Sequence, residues 1–307
     1  MAADAAERGA PPLRGARLRL STTFWRHPWI KALALLSPPV LAFVLVYLAA
    51  LTVLFISAFW GVDSFTGKLV HVWGLSNFRQ IFSTADPTYL RIAGRTIGIA
   101  AAVTVTDALL AFPLAYFMAR LAGPRLRALL FVLVLLPLWS SYLVRIYSWR
   151  LILSSDGALN WALGGVGLPR ANLAFTNWAM WIVFSYVWLP FMVFPVYAAL
   201  ERIPDSYIEA SGDLGAKGGR TLRSVILPLV LPGLVAGSIF TFSLTLGDYV
   251  TPLLVGGASS SFIGNVVYDN IGLNGNVPFA AALATVPMAI MAVYLLVARR
   301  LGAFEAL

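Results

Sequence analysis

Residues 32–60 run for 29 positions without a single charged side chain. A helix needs about 20 predominantly apolar residues to cross the hydrocarbon core of a bilayer, so this stretch alone predicts a membrane-spanning helix. Five further stretches meet the same condition: 96–119, interrupted only by Asp107; 128–153, apolar to Val144 and continuing past Arg145; 178–200; 225–246; and 280–298. Six transmembrane helices are therefore expected, with Pro113, Pro190, Pro195, Pro232 and Pro287 inside them, as membrane helices tolerate. Apolar periodicity does not mark their buried faces, because a helix that is apolar all round has little amphipathic moment. The two halves differ in loop length, and no internal repeat is evident.

The rest of the composition agrees. Charged residues make up 11% and hydrophobic ones 60%, with mean hydropathy +0.82, where a soluble domain carries about 25% charged residues. There is too little polar surface to cover a water-soluble globule. The net charge of +9 does not indicate nucleic acid, because the basic residues are dispersed between apolar spans rather than gathered on one face. With no cysteine, disulfides and thiolate metal sites are excluded, and His27 and His71 lie too far apart in sequence to suggest a metal centre.

Counting alternate loops, 15 of the 22 Lys and Arg fall on the side that holds the N-terminus. The positive-inside rule then places both termini in the cytoplasm. Residues 1–31 read as a basic cytoplasmic tail and 32–307 as the transmembrane domain. The tail is too long and polar for a signal-peptide n-region.

One polar segment, 204–224, is too structured for a connector. Pro204 and Asp205 end the helix before it. Ser206-x-x-Glu209 has capping-box spacing, which predicts a short helix over about 207–214, closed by Gly215 as a left-handed stop. Lys217-Gly218-Gly219-Arg220 reads as a turn, and a second short helix runs from there into Leu227-Pro228. Such an element either docks a partner or lies among lipid headgroups, held by Lys217, Arg220 and Arg223.

The order Glu209-Ala210-Ser211, three residues, Gly215, nine residues, then Val225-Ile226-Leu227-Pro228 resembles the EAA motif of type I ABC importer permeases. Ser replaces the second Ala, Val replaces Ile, and the spacing is kept. The stretches 136–153 (LPLWSSYLVRIYSWRLIL), 188–211 and 246–257 (LGDYVTPLLVGG) resemble the spermidine/putrescine, Pot-type branch, first permease subunit. The resemblance implies an all-α six-helix transmembrane domain with a cytoplasmic coupling helix seated on an ATPase, with Glu209, Ala210, Ser211, Gly215, Leu227 and Pro228 as the coupling residues. It also implies a bacterial inner-membrane complex with a second permease, two ATPase subunits and a periplasmic binding protein. Related permeases for iron, thiamine or other small cations share much of the pattern. The sequence has no G-x-x-x-x-G-K-[ST] loop; 212–219 (GDLGAKGG) has neither its spacing nor a preceding strand. ATP and Mg are thus expected on the partner ATPase, with no cofactor in this chain and no catalytic set of its own.

Four residues are candidates for the substrate path. Asp107 sits in mid-span, where a carboxylate costs about 2.5–3.5 kcal/mol on insertion scales. It either meets cargo, pairs with an Arg of this or the partner subunit, or is protonated and bonded to Thr104 or Thr106. Asp248 and Tyr249 follow the fifth span and together suit an ammonium group; alternatively Asp248 caps a short helix. Trp139, beside Ser140, Ser141 and Tyr142, marks a polar-aromatic break or an interfacial belt. Arg145 and Arg150 would repel a cation and are left out. An ion-coupled secondary transporter is the competing class, but it calls for a network of intramembrane ionisable groups, and only Asp107 is deep in a span. Transport by rocking between inward-facing and outward-facing states needs no such network.

The tail is rich in Pro, Gly and charge and poor in large apolar runs. Deleting residues 1–19 is therefore expected to leave complex assembly and uptake near the intact level, measured by co-purification and vesicle uptake; loss of both with insertion preserved would refute this.

Overall fold

The computed structural model describes residues 28–63, 65–257 and 260–300. The basic tail, up to residue 27, lies outside the described residues. The chain divides into two compact units, Met1–Ile56 and Ser57–Leu307. In the first, α1 (Pro28–Ala42) passes through a wide π turn, Phe43–Leu48, into α2 (Ala49–Ser57). Within this stretch Leu35–Ser57 forms an apolar span. Phe43 and Tyr47 stack at 5.0 Å.

The second unit opens with a two-stranded antiparallel ribbon, β1 (Gly61–Val62) and β2 (Leu69–Val70), in register Gly61↔Val70. The all-helical expectation did not include it. The short α3 (Ser76–Ile81) is tied to the chain before the ribbon by Asn77, whose amide donates to the Ala58 and Trp60 carbonyls. Next come α4 (Thr88–Tyr116), extended by a π turn to Leu121, then α5 (Pro124–Trp139), α6 (Tyr142–Ile152), α7 (Ala158–Gly165) and α8 (Asn177–Glu201). After α9 (Asp205–Asp213), α10 (Gly218–Thr221) continues through a π turn, Leu222–Ile226, into α11 (Leu227–Gly247). The unit ends with α12 (Val250–Val255), α13 (Ile263–Gly272) and α14 (Val277–Arg300).

Among the described residues, five helices are long and apolar enough to cross a membrane, six if α5 and α6 count as one broken span. The third span is the correction to the sequence expectation: instead of one helix over 128–153, α5 and α6 meet at 95°. The reason is local. Ser140 turns both its amide and its hydroxyl onto the Pro137 carbonyl, at 3.2 and 2.7 Å. That closes α5, and Ser140 and Ser141 are extended before α6 restarts.

The core of this unit is built by α4, α8 and α11. The buried face of α4 carries Thr96, Ala100, Thr104, Asp107, Ala111 and Ala115 at helical spacing. Ala111, Ala115 and Met118 pack with Met192, Val193, Val196 and Leu200 of α8 and with Ile226 and Val230. The hydroxyls on these faces satisfy themselves within their own helices. Thr96 donates to Ile92 O, Thr104 to Ala100 O and Thr245 to Thr241 O, at 2.7–2.8 Å. Each of these three hydroxyl donors is thereby kept from being desolvated without a partner.

Two glycines set the approach of α11 to α8. A Cβ on Gly233 would meet the Ala199 Cβ at 2.5 Å and the Pro195 carbonyl at 2.7 Å; one on Gly237 would meet the Met192 sulfur at 2.6 Å. The Gly233 neighbours are backbone and a short side chain, so neither can move aside. Gly233→Val is expected to destabilise the fold by about 2–3 kcal/mol through overpacking, read as a lowered melting midpoint in detergent. An unchanged midpoint would contradict this packing.

Candidate functional site

The polar segment after α8 forms a closed unit. The α9 helix begins at Asp205 with Pro204 as its N-cap, and no side chain caps it. The expected capping box is therefore not formed. Pro204 presets the entry and Asp205 supplies the first-turn acid that complements the helix dipole, so Ser206 and Glu209 lie inside the helix. The C-terminus behaves as expected. Gly215 has φ +78°; its amide bonds to Gly212 O at 2.8 Å, and the Ala216 amide to Ser211 O at 3.0 Å. This is the paired 5→2 and 6→1 pattern of a Schellman stop.

The second helix expected after the glycine turn is not separate. Residues Gly218–Gly247 form one 30-residue span. Ser211 and Thr221, both buried, bond through their hydroxyls at 2.9 Å. They pin α9 to the start of that span, which gives a physical reason for a Ser where the EAA motif has its second Ala. Glu209, Ala210 and the large apolar side chains of Tyr207 and Leu214 remain exposed. Leu227 is partly exposed and Pro228 occupies the first turn of α11. A cavity of about 770 Å³ opens beside this segment, lined among others by Phe194, Pro195, Arg202, Tyr207, Pro232 and Gly233.

At the other end of α11, Gly247 ends the helix and Asp248 is extended. Its Oδ1 accepts from the amides of Val250 and Thr251, at 2.7 and 3.2 Å. Oδ2 accepts from the Thr251 hydroxyl at 2.8 Å and from the Tyr142 hydroxyl. Four donors of its own chain thus occupy a carboxylate that is only 9% exposed. Asp248 caps α12 and ties it to α6. Tyr249 is partly exposed and stacks on Tyr268, with ring centroids 4.8 Å apart. The two neighbours are not presented side by side: the carboxylate is turned into the fold while the ring reaches the surface.

Asp107 is fully buried in α4. Its polar neighbour is the Ser185 hydroxyl of α8; that oxygen and both carboxyl oxygens have no hydrogen-bond partner. The expected bonds to Thr104 or Thr106 are not made. Thr104 donates to its own helix, and Thr106 accepts from the Trp181 indole at 3.1 Å. Trp139 projects at the end of α5, 89% exposed.

Thr251 and Trp188 were not singled out by the sequence, and Tyr142 only as part of the break beside Trp139. Tyr142 stacks on Trp188 at 5.6 Å, its hydroxyl lies 2.9 Å from that of Thr251, and the Arg145 guanidinium lies 5.8 Å from its ring centre. The polar-aromatic break beside Trp139 was the available signal, but its partner lay 106 residues away. Among the described residues, no cluster of three or more His, Asp or Glu side chains is placed to hold a metal.

Comparisons with known proteins converge. The family described as binding-protein-dependent transport system inner membrane component matches residues 111–304. The inner membrane ABC transporter permease protein YdcU of Escherichia coli (strain K12) is 43% identical over 96% of this chain and 97% of its own length. The spermidine/putrescine transport system permease protein PotB of the same organism is 34% identical over 74% of this chain and 82% of its own. A bacterial alginate ABC transporter, solved in complex with an alginate pentasaccharide-bound periplasmic protein, superposes with TM-score 0.74 at 17% identity. That match covers 94% of this chain and 98% of its own.

Tyr142→Phe removes one of the four donors to Asp248. It is expected to lower stability by about 1–3 kcal/mol, since the bond is made to a charged group, with membrane insertion intact. A melting midpoint equal to the parent's would show that the bond adds nothing.

Proposed function

This chain belongs to the binding-protein-dependent transport system inner membrane component family and is an ABC importer permease; we propose that it carries polyamines of the spermidine/putrescine kind. The observation that carries the coupling half of this reading is the unbroken helix Gly218–Gly247, to which α9 is pinned at Ser211. A displacement applied to α9 is thereby delivered to a membrane-spanning helix without an intervening flexible loop. The exposed Tyr207 and Leu214 are the apolar contacts α9 offers to an ATPase groove. In this reading the complex holds a second, homologous permease and two ATPase subunits that bind ATP and Mg. A periplasmic protein brings the cargo, and both termini lie in the cytoplasm.

The polyamine half is supported by the likeness to PotB and by the chemistry of the outer end of α11. Tyr249, stacked on Tyr268, offers aromatic surface for an ammonium group, and Asp248 contributes negative charge from beneath rather than by direct contact. Trp139 offers a second exposed ring. Asp107 is fully buried beside Ser185 of α8 and is not presented to cargo. The cavity between α8, α11 and α9 is the inward mouth of the path.

Reconstituted vesicles holding both permeases, the ATPase and saturated binding protein provide the test. ATP-dependent uptake of labelled putrescine or spermidine is expected, and its absence refutes the cargo. Gly215→Val has open space for its side chain but not the backbone conformation, which costs an L-residue about 1–2 kcal/mol. It is expected to insert normally and lose most uptake, while Gly215→Asn, which tolerates that conformation, retains it. Full uptake by the Val variant removes the docking role of α9.

A further inference from the structure

Only three residues, Arg202–Pro204, separate the end of α8 from the start of α9. A link that short would still let α9 pivot unless something held it. The side chain that spans it comes from elsewhere in the chain. Arg120, in the π turn that ends the α4 span, donates from Nη1 to the Asp205 carboxylate at 2.6 Å. From Nη2 it donates to the Leu200 carbonyl at 2.7 Å and the Ile203 carbonyl at 2.5 Å. The Arg120 side chain is 14% exposed.

The fit is chemical as well as geometric. The last carbonyls of a helix carry the negative end of its dipole; Leu200 O lies in the last turn of α8, where it also accepts from the Ile203 amide at 3.3 Å, and Ile203 O belongs to the link itself. Asp205 stands in the first turn of α9, where an acid is favoured. A planar guanidinium with several fixed donors serves both ends together; an ammonium does not. The backbone that presents Arg120 is itself held. Arg127 donates from Nε to Met118 O at 3.0 Å and from Nη2 to Ala119 O at 3.1 Å.

We infer that Arg120 is a positioning residue for energy coupling: it fixes the N-terminal end of α9 to α4 and α8. With Ser211–Thr221 holding the other end to the α11 span, motion of α9 moves all three core helices as one body. This rests on α9 being the ATPase-docking element. An arginine that merely finished the α8 terminus would affect stability and leave the transport-to-hydrolysis ratio untouched.

The chain has no cysteine, so introduced ones are unique labels. In the reconstituted complex, Arg120→Ala is expected to keep the ATPase bound at parental stoichiometry while substrate moved per ATP falls at least about tenfold, the scale of a single charge-assisted hydrogen bond where three are removed. Spin labels at Arg125→Cys and Ser206→Cys should give a broadened distance distribution in that variant. Arg120→Lys keeps the charge but loses the fork, so it should show a smaller loss. It decides the question if the Ala variant does not fold. Asp205→Asn should show the least, because that carboxylate is 82% exposed. A parental transport-to-ATP ratio with an unbroadened distribution overturns the inference. So does loss of the ATPase, which would mean that Arg120 only builds the docking surface. Neither result would touch the docking role of α9, which stands or falls with Gly215→Val.

Discussion

The close approach of α11 to α8 at Gly233 and Gly237 is the contact on which the rest of this fold depends. Lipid tails are as apolar as leucine, so the hydrophobic effect does not drive helices together inside a bilayer; van der Waals packing of small residues and interhelical polar contacts do. Glycine on α11, alanine on α4 and the rigid Pro195 turn of α8 bring three backbones within side-chain reach of one another. Once they are that close, the polar groups on the shared faces depend on the partners the fold itself supplies. Thr96, Thr104 and Thr245 find theirs within their own helices. Asp107 and Ser185 face each other with no hydrogen bond made.

The spans were legible in the sequence because crossing hydrocarbon forbids charge, and a charge-free run is visible without knowing any partner. The buried face of α4 was legible in principle too, though not from hydrophobicity. Thr96, Ala100, Thr104, Asp107, Ala111 and Ala115 are small or polar residues at three- and four-residue spacing, and size rather than apolarity marks a membrane interface. The bend between α5 and α6 was not legible, since it turns on how Ser140 uses its amide and hydroxyl once Pro137 has a free carbonyl. Nor was the ribbon β1–β2, whose strands are two residues long.

The polar segment shows the same division. Gly215 was readable because few residues accept φ +78°. The capping box was not, because Ser206-x-x-Glu209 fits the spacing equally well one residue inside a helix that Pro204 and Asp205 had already started. At the far end of α11, sequence placed Asp248 beside Tyr249 but could not show that Tyr142, more than a hundred residues earlier, would claim the carboxylate. Long-range pairing of this kind leaves no local trace.

The π turn at Leu222–Ile226 alters how the whole helix must be drawn. A π turn holds about one residue more than the α turn it replaces, which rotates everything on one side of it by about 100° relative to the other. A single helical wheel drawn over Gly218–Gly247 therefore assigns Thr221, the partner of Ser211, to the wrong sector relative to Gly233 and Gly237. Two wheels, reset at Leu222, are needed to choose substitutions on either part. A one-residue deletion inside the turn would restore an ideal α-helix and turn Thr221 away from Ser211, while disturbing in the membrane core the packing of Ile226, which lies in the turn itself.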